Sequence, residues 1–114
     1  MTEDYKAIAK SVSDGAALLR AAAPDSMSGF AAMGKAAYAD GALTGKQKEL
    51  IALSIAITVR CDGCVGAHAK ACLAKGATRA EVVEAITVAM HMGGGPSMVY
   101  GAEALRAFDQ LSGP

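Results

Sequence analysis

Two cysteines separated by two residues, Cys61 and Cys64, are the residues of this chain best suited to chemistry. His68 follows Cys64 by four positions, and Glu49 precedes Cys61 by twelve. A close pair of thiols forms and reopens a disulfide, while an imidazole and a carboxylate carry protons. The pattern Glu-x11-Cys-x2-Cys-x3-His therefore predicts a thiol redox centre.

A zinc site is the competing interpretation of the same segment. On a helix, Cys61, Cys64, His68 and Cys72 fall within an arc of roughly 80°, and all four are zinc-ligand types. However, Cys61 and Cys72 would lie about 16 Å apart along one continuous helix, too far to share an ion bound at about 2.0–2.3 Å. We therefore expect no metal, and we assign Cys72 to core packing.

Helical spacing of apolar residues runs through most of the chain, and no useful segment alternates with the period of a strand. The sequence predicts an all-α fold, a compact bundle of about six helices in a single domain over 1–114. The expected helices cover residues 3–23, 26 or 28 to 41, 44–60, 62–75, 78–92 and 97–111.

Local signals mark several of these helix ends. Thr44 with Gln47, and Thr78 with Glu81, are capping-box pairs at helix starts. Pro24 is expected to end the first helix. The third helix is apolar nearly all round, which predicts that it is buried.

The third and fourth helices are expected to form a central antiparallel hairpin that turns near residues 58–60. Glu49 and His68 are nearly equidistant from that turn, so they should meet across the interface. A carboxylate that orients an imidazole one turn from Cys64 is an arrangement suited to thiol catalysis. The amides at the start of the fourth helix would stabilise a thiolate on either Cys61 or Cys64.

Composition excludes other classes of function. The chain has 114 residues, 53% of them hydrophobic and 4% aromatic, with a formal net charge of zero. It therefore has no basic excess to attract nucleic acid or anionic membranes. The start of the chain lacks a secretory pattern, and its longest apolar run is too short to cross a bilayer, so we expect a cytoplasmic protein. The sequence around the Cys-x-x-Cys motif lacks the βαβ pattern of a thioredoxin-like fold.

The chain resembles the alkylhydroperoxidase D-like branch of the carboxymuconolactone decarboxylase superfamily over about residues 44–92. The matching residues are Glu49-Leu50-Ile51-Ala52-Leu53, Cys61-Asp62-Gly63-Cys64, His68, Gly76-Ala77-Thr78 and Glu81.

The resemblance implies an all-helical enzyme that assembles into trimers or hexamers and reduces organic hydroperoxides. It also implies a dithiol or lipoyl-type reductant and no bound cofactor. By the same resemblance, Cys64 attacks the peroxide, Cys61 resolves the product, and Glu49 and His68 relay protons to Cys64.

Some features leave alternatives open. Gly63 stands directly before Cys64, where many peroxidase members have a histidine. A carboxymuconolactone decarboxylase-like lyase, or a protein that binds a small acid on the same scaffold, is the alternative function, although true decarboxylases lack the dithiol. His91 could line the same pocket, but a helix C-terminus by itself favours a histidine there.

Overall fold

Six α-helices form the regular structure of residues 3–113, which are the residues that this computed structural model describes. Met1, Thr2 and Pro114, the ends of the expected 1–114 domain, lie outside that range. The all-α prediction is confirmed. The helices are α1 Tyr5–Ala22, α2 Pro24–Ala37, α3 Gly45–Val59, α4 Asp62–Ala74, α5 Arg79–Gly93 and α6 Gly95–Leu111.

Side-chain caps fix the starts of α3 and α5 where the sequence predicted them. The Thr44 hydroxyl accepts from the Gln47 amide, and the Gln47 side chain accepts from the Thr44 amide. Thr78 and Glu81 make the same reciprocal pair. Each box satisfies two amides that have no partner inside the helix, so both helices begin at a defined residue.

Two predicted helix starts were wrong because of proline. Helix α2 begins at Pro24, before Ser26 or Ser28, and α6 begins at Gly95, before Ser97. Proline suits the first turn of a helix because its missing amide has no partner there anyway. The second helix also ends at Ala37, short of the predicted residue 41.

Helix α3 is the centre of the packing. It contacts α4, α5 and α6, while α1 crosses α4 and α6, and α2 packs mainly against α1. Tyr5 holds the start of α1 against the core, because its ring is fully buried against Gly66 and its backbone amide donates to Gln110 Oε1. The first hairpin, α1–α2, thus rests on the outside of a four-helix core.

Helix α3, which was predicted to be buried, is buried on one side only. Leu53, Ala56 and Ile57 are buried, but Ile51, Ile55 and Val59 are 47%, 56% and 63% exposed. These three recur every fourth residue and so form one stripe. Val88 and Met92 of α5, which are also exposed, extend it. We call this surface, made of Ile51, Ile55, Val59, Val88 and Met92, the α3–α5 apolar face.

None of the helices between residues 3 and 113 combines the length and the hydropathy needed to cross a membrane.

Candidate active site

The two cysteines lie where the chain turns from α3 into α4. Helix α3 ends at Val59, and Arg60 adopts the left-handed conformation (φ 59°) that reverses the chain. Cys61 is the N-cap of α4, and it is joined to Cys64 by a disulfide whose Cα atoms are 5.1 Å apart. The disulfide-bonded pair therefore lies at the N-cap and in the first turn of α4.

The sulfur of Cys61 is also the capping atom of that helix. It accepts a hydrogen bond from the backbone amide of Cys64, 3.2 Å away. The amides of a helix start carry partial positive charge, which favours an anion at the N-cap. Hence Cys61 is the cysteine whose thiolate the backbone itself stabilises.

Glu49 and His68 meet across the α3–α4 interface, as predicted. Glu49 Oε1 lies 2.7 Å from His68 Nδ1, and the Glu49 residue is only 7% exposed. An ionised carboxylate only accepts hydrogen bonds, so this contact places a proton on Nδ1 and leaves Nε2 as the acceptor. His68 lies one turn after Cys64 on the same face of α4. In the neutral imidazole with this tautomer, Nε2 is the nitrogen that can take up a proton.

Cys64 and His68 line a cavity of about 170 Å³. Its other walls come from Tyr38 and from the side of α3 that carries Ala52, Ile55, Ala56 and Val59. The lining is apolar except for the Cys64 sulfur and the side chains of His68 and Tyr38. An organic molecule that enters the cavity therefore reaches Cys64.

Tyr38 belongs to this site, although the sequence reading did not single it out. Its ring centroid lies 5.7 Å from that of His68, with a tilt of 35°. Burial, followed by the nearby charge of Glu49, raises the pKa of Tyr38, so its hydroxyl stays protonated. No sequence pattern marks this residue, because its position depends on how α2 leads into the loop before α3.

Gly63 faces helix α1. A Cβ atom at Gly63 would lie 2.8 Å from Cγ2 of Val12, closer than carbon atoms pack in proteins. Val12 therefore occupies space that a histidine in place of Gly63 would need.

Cys72 and His91 lie apart from this cavity. Cys72 is fully buried, and burial, followed by the charge of Glu49, raises its pKa to about 11, so its thiol is inert at neutral pH. His91 is exposed in the last turn of α5. In the described part of the chain, no three His, Cys, Asp or Glu side chains converge as a metal-binding group.

Comparison with known proteins supports the fold and the scaffold. The model of the carboxymuconolactone decarboxylase family matches residues 24–107. The chain is 38% identical to the uncharacterized protein H16_B0147 of Cupriavidus necator, over 98% of this chain and 99% of that protein. It is 37% identical to the uncharacterized protein 4 in cox locus of Paracoccus denitrificans, over 74% of this chain and 76% of that one.

A solved structure is similar over nearly the whole length. It is the crystal structure of apo-lpg0406, a carboxymuconolactone decarboxylase family protein from Legionella pneumophila. That structure superposes with a TM-score of 0.92 at 42% identity, covering 95% of this chain and 96% of that chain.

Proposed function

The chain belongs to the carboxymuconolactone decarboxylase family, and on this scaffold we propose that it is a thiol-dependent peroxidase or disulfide oxidoreductase that reduces organic hydroperoxides. The observation that carries the proposal is a bonded Cys61–Cys64 pair whose second sulfur shares a small cavity with an imidazole held by Glu49. These are the nucleophile, base and orienting group of thiol chemistry.

The first step of the proposed cycle is attack by Cys64 on the hydroperoxide. His68 Nε2 takes the Cys64 proton, and the thiolate attacks the terminal peroxide oxygen. An S–O bond forms, the O–O bond breaks, and the leaving alkoxide receives the proton from His68 to become an alcohol. Cys64 is then a sulfenic acid.

Cys61 completes the oxidation. The Cys61 thiol loses its proton, and the resulting thiolate, stabilised by the Cys64 amide, attacks the Cys64 sulfur. An S–S bond forms, the S–O bond breaks, and the leaving hydroxide takes up the proton that Cys61 released to become water. A dithiol or lipoyl-type reductant then exchanges with the disulfide, becoming oxidised itself while both thiols are restored. In sum, a hydroperoxide and two thiols give an alcohol, water and a disulfide.

The alternative, a lyase or small-acid-binding protein, has less support from the cavity. Among the described residues that line it there is no lysine or arginine, so an acidic lactone would meet only His68 as a basic group. An apolar hydroperoxide fits the apolar walls better.

We further propose that the protein works as a homo-oligomer, of which a trimer or a hexamer is the form expected. The α3–α5 apolar face borders a groove of about 440 Å³, and an exposed surface of this kind marks a contact site in soluble proteins. Ile55 and Val59 line both this groove and the Cys64 cavity. A second copy seated on the face would therefore help to enclose the catalytic cavity.

Thiol titration tests the redox proposal directly. The reduced native protein should lose two reactive thiols per chain on addition of cumene hydroperoxide and regain both with dithiothreitol. Cys72→Ala should behave like the wild type, because Cys72 is buried and outside the cavity. Peroxide-dependent oxidation of the reductant at equal rates by wild type and Cys64→Ser would refute the proposal.

A further inference from the structure

Tyr38 closes one side of the site from a separate part of the chain. It is the C-cap of α2, it is partly buried, and its ring stands beside the imidazole of His68 on the wall of the Cys64 cavity. Its hydroxyl makes no hydrogen bond to the described residues that would explain this position. The ring itself is therefore the part of the side chain with a defined contact in the site.

The loop that carries Tyr38 is fastened to the start of α3. Asp40 Oδ1 accepts from the Gly45 amide at 2.6 Å, and Lys48 Nζ donates to the Ala39 carbonyl. The backbone passes so close that a Cβ atom on Gly45 would lie 3.3 Å from the Tyr38 carbonyl oxygen. The helix that supplies Glu49 thus also sets the position of Tyr38.

His68 is consequently held on two sides. Glu49 binds Nδ1 of the ring, and Tyr38 covers the ring from the direction of the loop. His68 is itself only partly buried, so without a cover the imidazole could turn about its side-chain torsions and meet water. His68 lines the cavity together with Cys64, and a base that acts on Cys64 needs a fixed ring orientation there.

We propose that Tyr38 is a positioning residue, whose aromatic ring keeps the His68 imidazole against Glu49 and so keeps Nε2 available to the Cys64 thiol. The inference rests on the proposed function for its purpose, but its central step, activation of Cys64 by His68, occurs without any peroxide. The hydroxyl of Tyr38 is not required for this role, whereas an aromatic ring is.

Alkylation of Cys64 by iodoacetamide tests the proposal in a reduced Cys61→Ser background. We expect Tyr38→Ala to slow the reaction about tenfold, a part of what a positioned base contributes. Tyr38→Phe should stay within about twofold of the parent, because the ring remains. In a His68→Ala background, Tyr38→Ala should have no further effect, because Tyr38 acts through His68.

Three results would overturn the inference: equal alkylation rates for Tyr38→Ala and its parent, a Tyr38→Phe rate as low as that of Tyr38→Ala, or an undiminished effect of Tyr38→Ala without His68. Tyr38→Leu, which keeps apolar bulk without a ring, should also be slow, and it replaces the alanine variant if that one fails to fold. Because alkylation needs no hydroperoxide, a wild-type protein inactive as a peroxidase would refute the proposed function while leaving this measurement decisive for Tyr38.

Discussion

Glu49 Oε1 and His68 Nδ1 lie 2.7 Å apart on different helices, although nineteen positions separate them in the chain. Glu49 is nearly buried, so its carboxylate is largely removed from competing water. Such a contact fixes both the tautomer and the direction of the imidazole.

Replacing Glu49 by glutamine removes the charge and keeps the size of the side chain. We expect kcat for hydroperoxide reduction to fall about 100-fold, since the neutral amide can donate to Nδ1 as well as accept from it and so no longer selects one tautomer, and since the charge that makes His68 a better base is lost. Steady-state kinetics with cumene hydroperoxide measures this. Glu84→Gln, at an exposed position on α5, is the matched control and should keep the wild-type rate. Identical kinetics for the two variants would exclude Glu49 from the relay.

The α3–α5 apolar face should hold copies of the chain together. The chain mass is 11.4 kDa, and we expect the wild type to elute as a multiple of it. Val88→Asp should shift the protein to the monomer mass in size-exclusion chromatography with light scattering, because a carboxylate is costly in an apolar interface. Val88 lies outside the Cys64 cavity lining, so the catalytic walls are untouched.

Val99→Asp is the control for this experiment. Val99 lies on α6, away from the α3–α5 apolar face, and is similarly exposed. It should leave the mass unchanged. A Val88→Asp protein with the wild-type mass would show that the face is not the contact.

The effect of replacing Gly63 on the stability of the protein should depend on the size of the side chain at position 12. Gly63→Ala should lower the free energy of unfolding by about 1 kcal/mol, because the added methyl meets Val12 and α1 must shift. In a Val12→Ala background the same change should become stabilising by about 0.5 kcal/mol, since alanine favours the helix over glycine. Urea unfolding of the wild type, the two single variants and the double variant measures the change in the free energy of unfolding in each background. The same effect in both backgrounds would mean that Val12 is not the obstacle.

Stability should fall at alkaline pH through Cys72. Burial and Glu49 raise the pKa of the folded thiol to about 11, whereas an unfolded cysteine titrates near 8.5. Between these values the unfolded state loses the proton first, so the free energy of unfolding decreases as pH rises, by at most about 1.4 kcal/mol per pH unit. Below about pH 8.5 this contribution is constant.

Urea unfolding at pH 8 and pH 10, with the Cys61–Cys64 bond intact, measures the slope. Cys72→Ala should be less stable at pH 8, because it leaves a cavity, but its loss between the two pH values should be smaller. Tyr5, whose pKa is also raised by burial, contributes equally to both proteins. Parallel slopes for wild type and variant would contradict the assignment.

The features that the sequence could predict, the capped helix starts and the Glu49–His68 contact, depend on interactions between residues close in the chain or on regular helix geometry. Thr44 and Thr78 mark helix starts through partners three residues away, so no tertiary information is needed. The Glu49–His68 contact follows from counting residues on either side of a turn, because the rise of a helix is constant. The start of α2 at Pro24 was harder to predict, because a proline that ends one helix is also well suited to begin the next.

The remaining features depend on distant packing. Val12 reaches the site because α1 packs against α4, and Tyr38 reaches it because the loop after α2 is bonded to the start of α3. The apolar spacing within one helix does not reveal against which other helix it packs. The exposed stripe of α3 was predicted to be buried because an apolar surface does not reveal whether its cover comes from the same chain. For Ile51, Ile55 and Val59, the cover within one chain is incomplete.

The hydrogen-bond acceptor that caps the start of α4, the sulfur of Cys61, is also a disulfide sulfur. An anionic sulfur at Cys61 attracts the Cys64 amide more strongly than a bonded, neutral one does, so each round of the proposed cycle would tighten and then relax the first helical turn. The hydrogen bond of the Cys64 amide would therefore differ in strength between the oxidised and reduced forms of the Cys61–Cys64 pair, and the rate of hydrogen exchange at that amide would report which form is present.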